Sequence, residues 1–373
     1  MSKDDLKKTP LNPAHLELGG KMVDFGGWDM PVQYPAGVIE EHMRTRTHAG
    51  LFDVSHMGEF WVEGDDAIAF VNRLTTNDVT KLVDGQAHYT TLTNENGGVV
   101  DDLLVYRFDV DKLLLVVNAG TTDKDWDWIT SHKKDENVTL TNASSDYCQI
   151  AIQGPDALGI LQQLTDTDLS AIGYYHFTMG RVDGVESIIS RTGYTGEDGF
   201  EVYAPTDNAR QLWDKMLEAG KYGEPYGILP CGLAARNTLR LEAGMSLYGH
   251  ELNDDITPLE SGLGWVTKLQ KGEFIGRDAL AKQKEEGVDR KLAGFEMADR
   301  GIARDGCDVY VNDEKVGTVT SGSPAPYLKK NIGFAFLPPE LAKPDQEIKI
   351  DVRGKQLAAN VVQTPFYKRQ KSQ

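Results

Sequence analysis

Ala281-Lys-Gln-Lys-Glu-Glu-Gly-Val-Asp-Arg290 divides the chain into two parts of different character. Its charges and its glycine read as the end of a helix followed by a linker, over residues 281–290. Downstream, residues 291–373 carry short apolar runs broken by turn residues. The run over 308–311 is followed by Asn312-Asp313-Glu314 and then by a second run over 316–320. That is strand, turn, strand, and it predicts a small C-terminal β-barrel or sandwich. Upstream, residues 1–280 mix helices with strands. Helices are expected over 38–48, ended by Gly50, and over 65–74, where acidic residues meet the positive end of the macrodipole. Thr122 is expected to cap a helix bearing Trp126 and Ile129. Thr206 or Asp207 is expected to cap another, with Ala209, Leu212, Trp213, Met216 and Leu217 at helical spacing and Gly220 at its end. Strands are expected over 98–108, 112–118, 149–153 and 199–204. Their alternation with helices is irregular and no GxGxxG follows a strand, so a doubly wound sheet is disfavoured. The prediction is α+β with mainly antiparallel sheets.

Composition narrows the function classes. The net charge of -18, from 57 acidic and 39 basic residues, opposes non-specific nucleic-acid binding, which needs a basic footprint. An anionic ligand would need local arginines or lysines. Cys148, Cys231 and Cys307 are far apart, with no CxxC pair, so neither a zinc site nor a disulfide framework is indicated. No apolar run approaches the ~20 residues that span a bilayer, and the first residues lack a signal-peptide core. The expected compartment is reducing and cytosol-like, with no membrane partner. The glycines and prolines are dispersed and no repeat period occurs, which excludes a solenoid.

Four segments can carry chemistry. In Gly98-Val-Val-Asp-Asp-Leu-Leu-Val-Tyr106 the apolar residues fall on both faces, so a strand there is covered on both sides. Successive side chains point oppositely, so Asp101 and Asp102 cannot form a facing dyad, and a glycosidase-type pair is rejected. Each face receives one carboxylate in an apolar setting, as a turn cap or structural ion pair, or as a positioned acid, base or charge stabiliser. Arg191-Thr-Gly-Tyr-Thr-Gly-Glu-Asp-Gly-Phe-Glu201 has glycines at every third position, which allow positive φ or close approach to a flat ligand. Its Glu201 can clasp two adjacent N–H donors, or the whole segment can be a decorated hairpin. Pro230-Cys-Gly-Leu-Ala-Ala-Arg-Asn-Thr-Leu-Arg-Leu-Glu242 reads as a helix with Arg236 and Arg240 one turn apart. Each is a salt-bridge node or a seat for a carboxylate ligand, and an acidic neighbour is the better expectation for Arg240. In Phe52-Asp-Val-Ser-His-Met-Gly-Glu-Phe60 no GxSxG surrounds Ser55, and His250-Glu251 is not HExxH, so hydrolase and zinc-protease readings fall away.

These segments, taken with Lys21-Met-Val-Asp-Phe-Gly-Gly-Trp-Asp-Met-Pro31, Gly50-Leu-Phe-Asp-Val-Ser-His-Met-Gly-Glu59 and Asn94-Glu-Asn-Gly-Gly-Val-Val-Asp-Asp-Leu103, closely resemble the aminomethyltransferase (T-protein) family of the glycine cleavage system. Arg304 to Gly306 and Thr320-Ser-Gly322 extend the likeness into the β region, and it runs in family order over residues 9–367. The resemblance implies a three-lobed, cloverleaf-like enzyme with tetrahydrofolate as co-substrate and neither metal nor flavin. It implies a folate-binding region over 1–280, built of two intertwined α+β lobes, the 281–290 linker and a barrel domain over 291–373. The implied partner is lipoylated H protein, whose aminomethyl carbon passes to tetrahydrofolate to give 5,10-methylenetetrahydrofolate, ammonia and the dihydrolipoyl arm. By residue, the family's essential aspartate falls on Asp102, leaving Asp101 a structural role. The pterin-facing glutamate falls on Glu201, the pocket tyrosine on Tyr194 and the ligand arginine on Arg236. Met57, Tyr89, Asn118 and Tyr367 match pocket positions. The implied location is the cytoplasm, or the mitochondrial matrix in a eukaryote.

Folate-dependent demethylases share this fold, as do the C-terminal ends of flavin-linked dehydrogenases, but the sequence carries no dinucleotide-binding segment before it. Folate-binding accessory proteins of iron–sulfur assembly carry Lys-Gly-Cys-Tyr-x-Gly-Gln-Glu where this chain has Arg191-Thr-Gly-Tyr-Thr-Gly-Glu-Asp, with no cysteine.

Overall fold

The computed structural model describes residues 5–369. The chain forms two compact units, one of residues 5–68, 82–88 and 104–237, the other of residues 69–81, 89–103 and 238–369.

The first unit is organised by a six-stranded sheet in the order Phe177–Val182, Val185–Ser190, Gly199–Pro205, Tyr147–Gln153, Gly50–Asp53, Leu229–Pro230. Neighbours are antiparallel except the last pair, which is parallel. Strand alternation then sorts the side chains. Ile150, Ile152 and Val202 enter a core with Leu212, Trp213, Met216 and Leu217 of the helix Ala209–Ala219. Full burial of each such side chain contributes about 1.5–3 kcal/mol before entropy is subtracted. Tyr203, on the opposite face of its strand, packs in a second cluster with Tyr106, Leu114, Val116 and Ile188. Gln149, Ala151 and Glu201 share that face, because Tyr203 pairs with Gln149 and Glu201 with Ala151. Strand periodicity thus carries a polar group into an apolar layer.

A five-stranded sheet runs in the order Gln86–Thr93, Val99–Asp109, Lys112–Val117, Gly58–Glu63, Thr139–Asn142. Its first two strands contribute residues to both units.

The second unit contains a closed six-stranded barrel. Its order is Lys291–Met297, Lys330–Leu337, Glu314–Ala325, Asp308–Val311, Glu347–Val352, Lys355–Val362, and the last strand pairs with the first. Phe295, Val309, Val319, Leu337, Ile350 and Val361 fill its interior. The expected turn is a two-residue hairpin loop, since Val311 pairs with Glu314. Asn312 and Asp313 both take positive φ, 50° and 64°, as the twist of such a hairpin requires. Fold class, antiparallel pairing and barrel all agree with the sequence reading.

Three helix starts differ from it. Thr122 is the first residue of the helix Thr122–Ser131, not its cap, and its hydroxyl donates back to the carbonyl of Asn118 at 3.0 Å. Thr206 and Asp207 lie in a 3-10 turn, Thr206–Asn208, that precedes the helix Ala209–Ala219. The Thr206 hydroxyl donates to the Ser145 carbonyl at 2.8 Å, so a tertiary partner takes the group that would have capped. The helix Val38–Thr47 lies where it was expected, whereas Ala67–Leu74 begins after Asp65 and Asp66, so no acidic residue stands in its first turn.

Candidate active site

The strand Val99–Asp109 presents its two carboxylates differently. Asp101 is fully buried at 0% exposure, whereas Asp102 is half-buried, less enclosed than an apolar setting on both faces led one to expect. The opposed orientation of the two follows from the strand. The Tyr89 hydroxyl donates to Asp102 Oδ2 at 2.8 Å. The Tyr89 ring is stacked on Trp265, with centroids 6.0 Å apart and an interplanar angle of 19°. Trp265, 61% exposed, belongs with this cluster and was not singled out from the sequence. A lone indole between Gly264 and Val266 was the available signal. Within the second unit, therefore, a carboxylate, a phenol that orients it and an accessible aromatic plate come together.

The 191–201 segment is the connection of the hairpin between Val185–Ser190 and Gly199–Pro205, with Ser190 paired to Glu201. Arg191 grips Asp198 through two bonds, 3.0 and 2.6 Å, and donates to the Ile172 carbonyl at 2.9 Å. Arg46 reaches Glu197 at 2.9 Å and the Thr195 carbonyl at 2.7 Å. Both ends of the loop are thereby tied to the scaffold. The close approach that its glycines allow is to protein: a β-carbon on Gly193 would meet the Gln153 amide, and one on Gly199 the Ile152 carbonyl. Gly196 is the member of the series with positive φ, 82°. Tyr194 stands under the Arg236 guanidinium, 4.6 Å from the ring centroid, a cation–π contact.

Glu201 is 6% exposed. Thr192 donates to its Oε2 at 2.5 Å and Gln149 Nε2 to its Oε1 at 3.1 Å. Burial raises its pKa, opposed by the Thr192 hydrogen bond, the Arg236 charge and the Gln149 hydrogen bond. Glu201, Tyr194 and Arg236 therefore form one electrostatic group in the first unit.

The remaining expected residues are more scattered. Met57, half-buried in the turn after Gly50–Asp53, packs on the Tyr106–Tyr203 cluster. Asn118 follows the strand Lys112–Val117, and its carbonyl accepts from Thr121 and Thr122. Tyr367 hydrogen-bonds the Glu242 carbonyl through its backbone N–H at 2.7 Å and meets Tyr327 edge-on at 5.3 Å. Met57, Asn118, Tyr194, Glu201 and Arg236 belong to the first unit, and Tyr89, Asp102 and Tyr367 to the second.

Other polar candidates resolve differently. Arg240 forms a buried 2.9 Å ion pair with Glu251 and donates to Ser321, as its acidic-neighbour reading anticipated. His56 is 2% exposed, and burial lowers its pKa to about 4, with Asp53 opposing and Arg236 and His15 reinforcing. It is a neutral imidazole at physiological pH. Burial pushes the Cys148 thiol up to about 12, which removes it as a thiolate nucleophile. Among the described residues, no group of three or more His, Cys, Asp or Glu side chains could hold a metal ion, and no helix is long and apolar enough to cross a membrane.

Comparison with known proteins bears on the whole chain. Residues 11–271 match the GCVT N-terminal domain family, and residues 290–368 the glycine cleavage T-protein C-terminal barrel domain family. The chain is 54% identical over 369 residues to an aminomethyltransferase of Anoxybacillus flavithermus, covering 98% of this chain and 100% of that one. It is 52% identical over 368 residues to an aminomethyltransferase of a Geobacillus species, with coverage of 98% and 100%. The crystal structure of the glycine cleavage system aminomethyltransferase T from Bartonella henselae superposes with a TM-score of 0.91 at 33% identity, covering 97% of this chain and 98% of that one. The chain belongs to the aminomethyltransferase (T-protein) family of the glycine cleavage system.

Proposed function

We propose that this protein transfers the methylene carbon of the aminomethyl-lipoyl group of H protein to tetrahydrofolate, giving 5,10-methylenetetrahydrofolate, ammonia and the dihydrolipoyl arm. The observation that carries the reading is the acceptor cluster at Glu201, with Arg236 and Tyr194 beside it. A buried carboxylate whose protein partners are all donors suits the N–H-rich edge of a pterin, and a guanidinium suits the anionic tail of a folate. Met57, Asn118, Tyr89 and Tyr367 are proposed to complete the folate contacts. Residues 1–280 are proposed as the folate-binding region, 281–290 as the link and 291–373 as the barrel domain. The proposed compartment is the cytoplasm.

Asp102 is proposed as the catalytic group. Transfer develops positive charge on the migrating carbon as ammonia departs, and a carboxylate held by Tyr89 is preorganised to stabilise it and to orient the accepting nitrogens. The role asks for no nucleophilic side chain. Incubation with aminomethyl-lipoyl H protein and tetrahydrofolate tests the reading: 5,10-methylenetetrahydrofolate and ammonia are expected in equal amounts. Folate-dependent demethylation of another small methyl donor, with no reaction on H protein, would assign the chain to the demethylase reading instead.

A further inference from the structure

Gln149 belongs to no motif picked out above, yet it is 2% exposed and at the centre of the Glu201 cluster. Its Nε2 carries two hydrogens, and both are engaged: one to Glu201 Oε1 at 3.1 Å, the other to Tyr203 Oη at 3.0 Å. The bonding network assigns that orientation, because a flipped amide would set its oxygen against a Glu201 carboxylate oxygen and leave Nε2 without these two acceptors. The consequence is at the other end of the amide. Gln149 Oε1 is buried and has no hydrogen-bond partner among the described residues.

The hydroxyls around it are already committed. Thr192 gives its proton to Glu201 Oε2. Tyr106 contacts Thr192 at 3.3 Å and Tyr203 at 3.0 Å, and Ser190 donates to Tyr106 at 3.2 Å. The proton assignment that uses every O–H therefore runs from Tyr203 to Tyr106 to Thr192 to Glu201. No hydroxyl is left to donate to Gln149 Oε1, and burying an amide oxygen unpaired is costly. The cluster thus holds unused acceptor capacity: the remaining lone pairs of Glu201 and, one amide group away, Oε1 of Gln149.

We propose that Gln149 is a specificity-determining residue for the folate co-substrate, its Oε1 accepting the second hydrogen of the pterin 2-amino group whose first hydrogen goes to Glu201. The proposal rests on the folate reading above and extends it to a three-donor edge: ring N3–H and one amino hydrogen to the carboxylate, the other amino hydrogen to the amide. Gln149 thus has two duties, aiming Glu201 through Nε2 and reading the amino group through Oε1. A ligand lacking one amino hydrogen leaves Oε1 unpaired again.

Two analogues separate these contacts in the full-length protein. The 2-methylamino analogue of tetrahydrofolate keeps one amino hydrogen, and the 2-desamino-2-methyl analogue keeps none. Against tetrahydrofolate, the unchanged protein is expected to bind the first about 5–10-fold more weakly and the second about 50-fold more weakly. In Gln149→Leu the penalty for the methylamino analogue should shrink to within about 2-fold while the desamino penalty stays above about 10-fold. Folate KM should rise in that variant and kcat at saturation stay within about 3-fold. A methylamino penalty undiminished in Gln149→Leu, or equal binding of tetrahydrofolate and its methylamino analogue by the unchanged protein, would overturn the role of Gln149 alone. Undiminished binding of the desamino analogue by the unchanged protein would overturn the pterin-edge reading at Glu201 as well. Should Gln149→Leu not fold, Gln149→Met makes the same comparison with a side chain of nearly the same length, and the measurements on the unchanged protein stand without either.

Discussion

Two carboxylates show how environment divides one chemistry into different tasks. Asp102 keeps partial exposure and a phenolic donor, conditions under which a carboxylate can meet developing positive charge. Asp102→Asn preserves shape and removes charge, so folate affinity should hold within a few-fold while turnover falls by about 100-fold or more. Binding and single-turnover measurements on one preparation decide it, and near-normal turnover would sink the catalytic assignment. Glu59 lies at the other extreme. It is 1% exposed, its Oε2 has no hydrogen-bond partner among the described residues, and burial raises its pKa well above the ordinary carboxylate value. The folded state then binds a proton that the unfolded state releases near pH 4.3, so this group's contribution to stability falls as pH rises above that value toward its folded pKa. Each pH unit in that window costs about 1.4 kcal/mol. Glu59→Gln should remove the slope, so urea unfolding at pH 5 and pH 8 should show the variant gaining stability on the parent at the higher pH. Parallel stability curves would contradict this.

Elements are positioned here by a few buried polar nodes as much as by apolar faces. The helix Leu233–Glu242 shows this within its own length. Arg236 turns to the Tyr194 ring, whereas Arg240, one turn on, is locked by Glu251 at 2.9 Å, the Met245 carbonyl at 3.0 Å and Ser321 of the barrel strand Glu314–Ala325 at 2.8 Å. Glu251 also accepts from Thr320 at 2.6 Å and from the Leu247 N–H at 3.0 Å. The node joins the end of the helix, the loop after it and the barrel. Removing one member strands a buried charge, so Arg240→Leu should lose about 3–5 kcal/mol in equilibrium unfolding. The double change Arg240→Leu with Glu251→Leu should recover part of that loss, since no lone charge remains. If the double variant is as unstable as the additive sum, the ion pair is not the cause. Asparagine and aspartate at positive φ act similarly at the barrel hairpin, where local turn chemistry sets the register of two strands.

At the scale of the whole molecule, a net charge of -18 imposes diffuse self-repulsion on the folded chain. Screening shortens its range to about 3 Å at 1 M salt. Raising sodium chloride from low ionic strength to about 0.5 M should therefore raise the melting temperature by a few degrees, and an unchanged or lower value would show that surface ion pairs outweigh the repulsion. Elements of the fold whose information is local were legible beforehand. Periodicity gave the body of the helix Ala209–Ala219, turn residues gave the barrel hairpin, and strand alternation separated Asp101 from Asp102. Motifs in family order identified the chemistry, because residue type and spacing are properties of the chain itself. The starts expected at Thr206 and Thr122 were misplaced because the Thr206 hydroxyl prefers Ser145, far away in sequence, and the Thr122 hydroxyl turns back to Asn118. The environment of each candidate was a matter of tertiary structure. Gln149 gains its significance only when strand pairing brings it beside Glu201 and Tyr203, and Trp265 only when it stacks on Tyr89. Sequence by itself determined which chemical groups are present and which local elements they ride on. Burial, hydrogen-bond partners and pKa arise from residues dozens to hundreds of positions apart, and only the folded chain decides them.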